Sequence, residues 1–259
     1  MLLAVDIGNT DITFGLSRQN EWIFSWRIKS EISRSVGAYE LELRNYFLEN
    51  DISLNDIHQV VISSVVPSLT SKLEQVLQNS FTVSPLILGP SIYPDLKVTV
   101  RNANEIGTDL VANAVAAFHH FNDPCIVVDF GTALTFTTID SDGKLMGVAI
   151  APGIKTAMKS LSSNTAQLPE VPLQLPDSAL GKDTIHAMQA GILIGYVGLV
   201  KEMLTHIKKE INKPCKVIAT GGLSSVLTPL RPEFDEINNM LTLDGLRVIA
   251  TNHFRLNKD

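Results

Sequence analysis

Two stretches decide how this chain is read: Leu2-Leu3-Ala4-Val5-Asp6-Ile7-Gly8-Asn9-Thr10 and Cys125-Ile126-Val127-Val128-Asp129-Phe130-Gly131-Thr132-Ala133. Each is an apolar run that meets an Asp, then a Gly-centred turn, then hydroxyl side chains. In each, a second apolar strand follows, Ile12 to Leu16 in the first copy and Leu134 to Ile139 in the second. One D-x-G is an ordinary hairpin turn. Two copies with matching flanks, nearly half a chain apart, read as a duplicated α/β unit whose equivalent turns face a common cleft.

Working outward, the same order of elements recurs around each turn. In the first half, strands over Leu2–Val5, Ile12–Leu16 and Trp22–Ile28 are predicted. An amphipathic helix over Ala38–Glu49 and a strand over Val60–Val66, stopped by Pro67, come next. A helix over Leu69–Leu77 and a strand over Pro85–Leu88 close that half. The second half shows a helix from Asp109 to Phe121, the paired strands around Asp129, and a strand from Leu145 to Ile150. A long helix over Thr184–Ile211, a strand over Val217–Thr220 before Gly221-Gly222, and a helix over Asp244–Phe254 complete it. The expected division is residues 1–108 with the first hairpin and 109–259 with the second.

The 259 residues include 45% hydrophobic and 19% charged side chains, with 21 Lys+Arg against 27 Asp+Glu. A chain this long buries roughly three quarters of its unfolded surface, enough for one large or two small cores. The balance is acidic, with net charge −6, and no segment concentrates the basic residues that neutralising a polyanion requires, which argues against nucleic acid as a partner. Cys125 and Cys215 are too few for a disulfide framework and read as strand-start thiols. The first residues carry no basic leader. The fourteen uncharged residues between His186 and Lys201 fall short of a bilayer span, so the expectation is a cytoplasmic protein without a membrane partner. His119, His120, His186 and His206 lack metal-ligand spacing, and Trp22 and Trp26 project to one face of an extended segment, as core residues do.

A glycine at each turn lets backbone approach a ligand closely, and adjacent N–H groups favour an anion. Thr10, Thr13, Thr132 and Thr135 add hydroxyl donors. Asp6 and Asp129 would repel a phosphate unless a cation stands between them. Neither G-x-x-x-x-G-K-[ST] nor G-x-G-x-x-G occurs, which removes two common nucleotide-binding alternatives.

These motifs resemble the actin-like ATPase fold, in which two D-x-G hairpins bracket the phosphates and a late Gly-Gly turn, here Gly221-Gly222, carries the adenosine. Within that superfamily the match is to the type III pantothenate kinases. It rests on Asp6-Ile7-Gly8-Asn9-Thr10, Glu105-Ile106-Gly107-Thr108-Asp109, Asp129-Phe130-Gly131-Thr132-Ala133, Ala151-Pro152-Gly153 and Gly181-Lys182-Asp183-Thr184 followed by Ala187-Met188-Gln189-Ala190-Gly191.

The resemblance implies ATP-dependent phosphorylation of pantothenate, the first step of coenzyme A synthesis. It makes Asp109 the general base and gives Asp6, Ile7, Gly8, Asn9, Thr10, Asp11, Ile12, Thr13 and Thr132 to ATP. Asp129 would take a potassium or ammonium ion, with Mg2+ on the phosphates. Val100, Gly107, Thr108, Asp109, Leu110 and Thr184 occupy the pantothenate positions. Two depart from the family pattern: Leu110 stands where Arg is usual and Val100 where Tyr is usual, with Arg101 or Lys97 as candidates to restore a positive charge. The alternative is a relative that keeps the nucleotide site and acts as a regulator. A homodimer is also implied, and the small residues Ala187, Ala190, Gly191, Gly195 and Gly198 at helical spacing suggest close packing along one face of the long helix.

Overall fold

The computed structural model describes residues 1–256, which divide into two compact units. One comprises Met1–Ala116 with the C-terminal helix from Leu241; the other is Ala117–Met240. This differs from the division at 108/109 expected from sequence, because residues 109–116 and the last helix pack with the first unit.

The first unit is built on β1 (Leu2–Ile7), β2 (Asp11–Arg18), β3 (Glu21–Lys29), β4 (Gln59–Ser64) and β5 (Leu86–Ile87), ordered β3-β2-β1-β4-β5. β1 pairs antiparallel with β2 and parallel with β4, and β5 adds parallel to β4. Only the three-stranded meander is antiparallel, as short turns allow, and the parallel strands need helical crossovers. Those crossovers are α1 (Val36–Glu49), N-capped by Ser35 accepting from the Ala38 N–H at 3.2 Å, and α2 (Pro67–Ser80). Pro67 therefore starts a helix as well as ending the strand segment, where its fixed φ and missing N–H cost nothing. Leu3, Val5, Ile7, Ile12 and Phe14 on the sheet meet Tyr39, Phe47, Leu69 and Leu73 from the helices in one core.

The second unit repeats the plan with β6 (Cys125–Phe130), β7 (Ala133–Ile139), β8 (Leu145–Pro152), β9 (Lys216–Thr220) and β10 (Glu236–Ile237). Its order is β10-β9-β6-β7-β8, again with an antiparallel meander on one side of the first strand and parallel pairing on the other. The duplication read from the two D-x-G stretches is thus present strand for strand.

α3 (Thr108–Phe121) precedes β6, and α4 (Ile154–Asn164) follows β8. α4 is absent from the sequence expectation. Its Ile154, Ala157, Met158 and Leu161 have helical spacing, and the helix starts directly after Pro152-Gly153.

α5 runs from Thr184 to Ile211 with a π-helical segment over Ala190–Ile194. By length and composition it could cross a membrane, longer than the fourteen-residue uncharged stretch implies, and 28% of its most apolar window is buried. Its Leu193, Tyr196, Val200 and Leu204 nonetheless sit in the second core with Val128, Phe136 and Val217, as a core helix does.

Within the chain, Ala190 is buried while Ala187, Gly191, Gly195 and Gly198 are exposed. The extra residue per turn in the π segment rotates Ala190 off the small-residue stripe. A Cβ at Gly191, Gly195 or Gly198 would meet nothing within 4 Å. α6 (Leu241–Leu256) lies on the first unit against β1 and β4.

Candidate active site

In the first unit the C-terminal ends of β1 and β4 lie side by side, with Asp6 opposite Ser63 and Ile7 opposite Ser64. The carboxyl ends of parallel strands are where open α/β sheets collect ligand-binding groups. Thr108, the first residue of α3, is tied to that end. Its Oγ1 accepts from the Ser64 N–H at 2.9 Å and donates to the Ser64 carbonyl at 3.1 Å. With that proton committed, the fully buried Ser63 Oγ donates to Thr108 Oγ1 at 2.9 Å. The Asp6 strand and the start of the Asp109 helix are therefore fixed to the same strand of one sheet.

Asp109 is half-buried in the first turn of α3, where its Oδ1 accepts from the Leu110 N–H at 2.8 Å. Burial pushes its carboxyl above the ordinary Asp range, opposed in part by that hydrogen bond. The helix N-terminus favours an anion, yet desolvation wins, leaving a carboxylate with more affinity for a proton than a solvated Asp. A Cβ at Gly107 would press on Asp109 Oδ1, so the glycine leaves the carboxylate room to take this position.

The Asp6 hairpin is a tight turn closed by the Gly8 N–H donating to the Asp11 carbonyl at 3.1 Å, with Asn9 and Thr10 exposed at its tip. Ser30 Oγ donates to the Gly8 carbonyl at 2.6 Å and pins the turn to the end of β3. Of the residues expected to hold ATP, Ile7 and Ile12 have fully buried side chains, so only their main chain is available to a ligand. Asp11 pairs with Lys29 at 2.7 Å. Asp6, Thr10 and Thr13 remain polar groups of the hairpin.

The second hairpin repeats the closure, with the Gly131 N–H donating to the Ala133 carbonyl at 3.1 Å. Asp129 is half-buried, in register with Thr135 on β7 and Thr220 on β9. The chain turns at Gly221 with φ +88°, where an added Cβ would stand 2.6 Å from Asp129 Oδ1. The second D-x-G turn and the Gly-Gly turn thus converge on Asp129. Thr132 is exposed, and its carbonyl accepts from the Gly153 N–H at 3.0 Å and Thr156 Oγ1 at 2.7 Å. The Ala151-Pro152-Gly153 stretch singled out in the sequence therefore braces the second hairpin.

Thr184 begins α5 and is exposed, behind Asp183, whose Oδ1 caps the helix by accepting from the His186 N–H at 2.9 Å. Leu110 is buried and Val100 half-buried, and neither side chain can hydrogen-bond. Lys97 and Arg101 are both exposed. Among the described residues no group of three or more His, Cys, Asp or Glu is assembled for a metal. Each His120, His186 and His206 instead faces one carboxylate, Glu236, Asp183 and Glu202. Cys125 is buried, and its thiol is pushed up to about 12, chiefly by desolvation, which leaves it inert.

Duplicated sheets of this order, each opening on a D-x-G hairpin, define the actin-like fold. The structure superposes on MreB 5 of Spiroplasma citri bound to AMPPNP with a TM-score of 0.57 at 9% identity, over 99% of this chain and 98% of that one. A family model described as type III pantothenate kinase matches residues 2–206. Two relatives carry that same name. The Syntrophus aciditrophicus protein is 41% identical over 249 residues, 96% of this chain and 98% of the relative. The Citrifermentans bemidjiense protein is 39% identical over the same shares. The chain belongs to the type III pantothenate kinase family.

Proposed function

We propose that this protein transfers the γ-phosphoryl group of ATP to pantothenate, giving 4'-phosphopantothenate and ADP at the start of coenzyme A synthesis. The observation that carries the reading, beside family membership, is Asp109. It is a partly buried carboxyl of raised proton affinity, next to Thr108, whose bonds to Ser63 and Ser64 tie it to the strand ends that bear the Asp6 hairpin. Asp109 would accept the proton of the primary hydroxyl as that oxygen forms its bond to the γ-phosphorus. The bond from the γ-phosphorus to the β–γ bridging oxygen breaks, and ADP leaves.

From the first unit, the hairpin from Asp6 to Thr13 would hold phosphates through main-chain N–H groups and the hydroxyls of Thr10 and Thr13. From the second, Thr132 would add a hydroxyl and the Gly221 turn would receive adenosine. Gly107, Thr108, Leu110, Val100 and Thr184 would line the pantothenate position.

Asp129 offers a carboxylate, a hard-oxygen donor suited to potassium or ammonium. Such an ion, with Mg2+ on the phosphates, would supply charge neutralisation. Since no multi-carboxylate cluster is present among the described residues, its other ligands would come from main chain, nucleotide or water. We further infer a cytoplasmic homodimer, supported by the open glycine face of α5 at Gly191, Gly195 and Gly198.

The test is ADP release by the purified protein with and without pantothenate, in potassium and in sodium. Pantothenate-dependent release supports the reading. Nucleotide binding with no turnover under any condition would overturn it in favour of a regulatory relative.

A further inference from the structure

Tyr93 opens a single 3-10 turn, Tyr93–Asp95, a few residues beyond β5. β5 is parallel to β4, so the chain leaves it at the end of the sheet where Ser63 and Ser64 hold Thr108. Tyr93 is 5% exposed, yet its hydroxyl has no hydrogen-bond partner. A buried phenol nearly always finds one, because leaving its O–H unmade forfeits the solvation it had in water.

Burial, and then the nearby Asp109 carboxylate, push the phenol above its ordinary range. At neutral pH it is therefore protonated and a donor. The two positions where the family pattern supplies a phenol and a guanidinium are Val100 and Leu110, and neither donates. The surroundings of Asp109 thus lack two donors at the expected positions and contain one, at Tyr93, with nothing to bond.

We propose that the Tyr93 hydroxyl donates to an oxygen at the pantoyl end of pantothenate, the end whose primary hydroxyl Asp109 deprotonates, making Tyr93 a substrate-binding residue in place of the phenol missing at Val100. The inference rests on the functional reading above. It accounts for the orphaned hydroxyl as a bond that the bound substrate completes.

The experiment compares Tyr93→Phe with wild type, which keeps the ring and deletes one oxygen. KM for pantothenate should rise by roughly tenfold, the worth of one hydrogen bond to a buried group, while kcat and KM for ATP stay within about twofold. Without substrate the variant should melt no lower than wild type, and the upward shift of its melting point by pantothenate should shrink. An unchanged pantothenate KM, or a fall in kcat alone, overturns the inference while leaving the kinase reading intact. A lower melting point without substrate also overturns it, because the hydroxyl would then be bonded within the fold. Wild-type protein with no pantothenate-dependent ADP release overturns the functional reading itself and this inference with it.

Discussion

Ser63 Oγ and Thr108 Oγ1 lie 2.9 Å apart across 45 residues of sequence, and the bond joins the end of β4 to the first residue of α3. Because Asp6 on β1 lies opposite Ser63 in the β1–β4 register, this contact sets where Asp109 stands relative to the first hairpin. Thr108→Val keeps the shape and deletes all three bonds of the hydroxyl, leaving the Ser63 hydroxyl and the Ser64 N–H without it. A loss of about 1–3 kcal/mol is expected from urea unfolding. The kcat for pantothenate phosphorylation should fall at least about tenfold, since misplacing a catalytic group by a fraction of an ångström is costly.

Asp109→Asn should lower kcat by about 10²–10⁴-fold with ATP affinity intact, as expected for loss of a positioned base. Retention of more than half the wild-type rate would remove Asp109 from that role. The sign of its stability effect is opposite. Its folded pKa is raised, so the folded state binds the proton more tightly than the unfolded one, and stability falls as pH climbs from the ordinary Asp range through the raised value. At neutral pH the uncharged Asn escapes this penalty, and the variant should melt at or above the wild-type temperature. In wild type, kcat/KM should decline on the acid side through a pKa above the usual carboxylate range.

Activity should be much higher in potassium or ammonium than in sodium or Tris, and Asp129→Ala should erase the preference. Equal rates in all four salts would count against a cation at Asp129. Gly221→Ala tests the same locus from the backbone side. It adds a methyl 2.6 Å from Asp129 Oδ1 at a residue of φ +88°, and should reduce both stability and ATP affinity.

Trp22 Nε1 and Arg247 Nη2 both donate to Asp244 Oδ1 at 2.8 Å, and the Arg247 guanidinium lies 5.0 Å from the centre of the Trp22 ring. Asp244→Ala should cost about 1–3 kcal/mol by leaving a partly buried indole N–H unpaired, and should speed hydrogen exchange along α6. KM for ATP should hardly move.

Light scattering should give a particle near twice 28.3 kDa. Gly195→Leu, which fills open space in the isolated chain, should yield monomer or aggregate with lost activity. An active wild-type monomer at micromolar concentration would exclude the dimer.

The sequence by itself determined the repeated strand–turn–strand units, because alternation, apolar runs and D-x-G turns are local signals that fix local conformation. It also marked Asp6, Asp109, Asp129 and Gly221 through motifs whose spacing is local to each turn. α4 was equally local, with Ile154, Ala157, Met158 and Leu161 in helical register directly after Pro152-Gly153.

Other features depend on partners distant along the chain. Ile7 and Ile12, which flank the first D-x-G turn, are core residues because their strands face α1 and α2. α6, read from periodicity as part of the second half, belongs to the first through Asp244 on Trp22 and Gly245 packed against Ala112. Tyr93 belongs to no motif in the sequence, and only burial leaves its hydroxyl without a partner. Periodicity records which face of a segment is apolar but not which other face will cover it, and only the folded chain decides that pairing, along with the desolvation that raises Asp109.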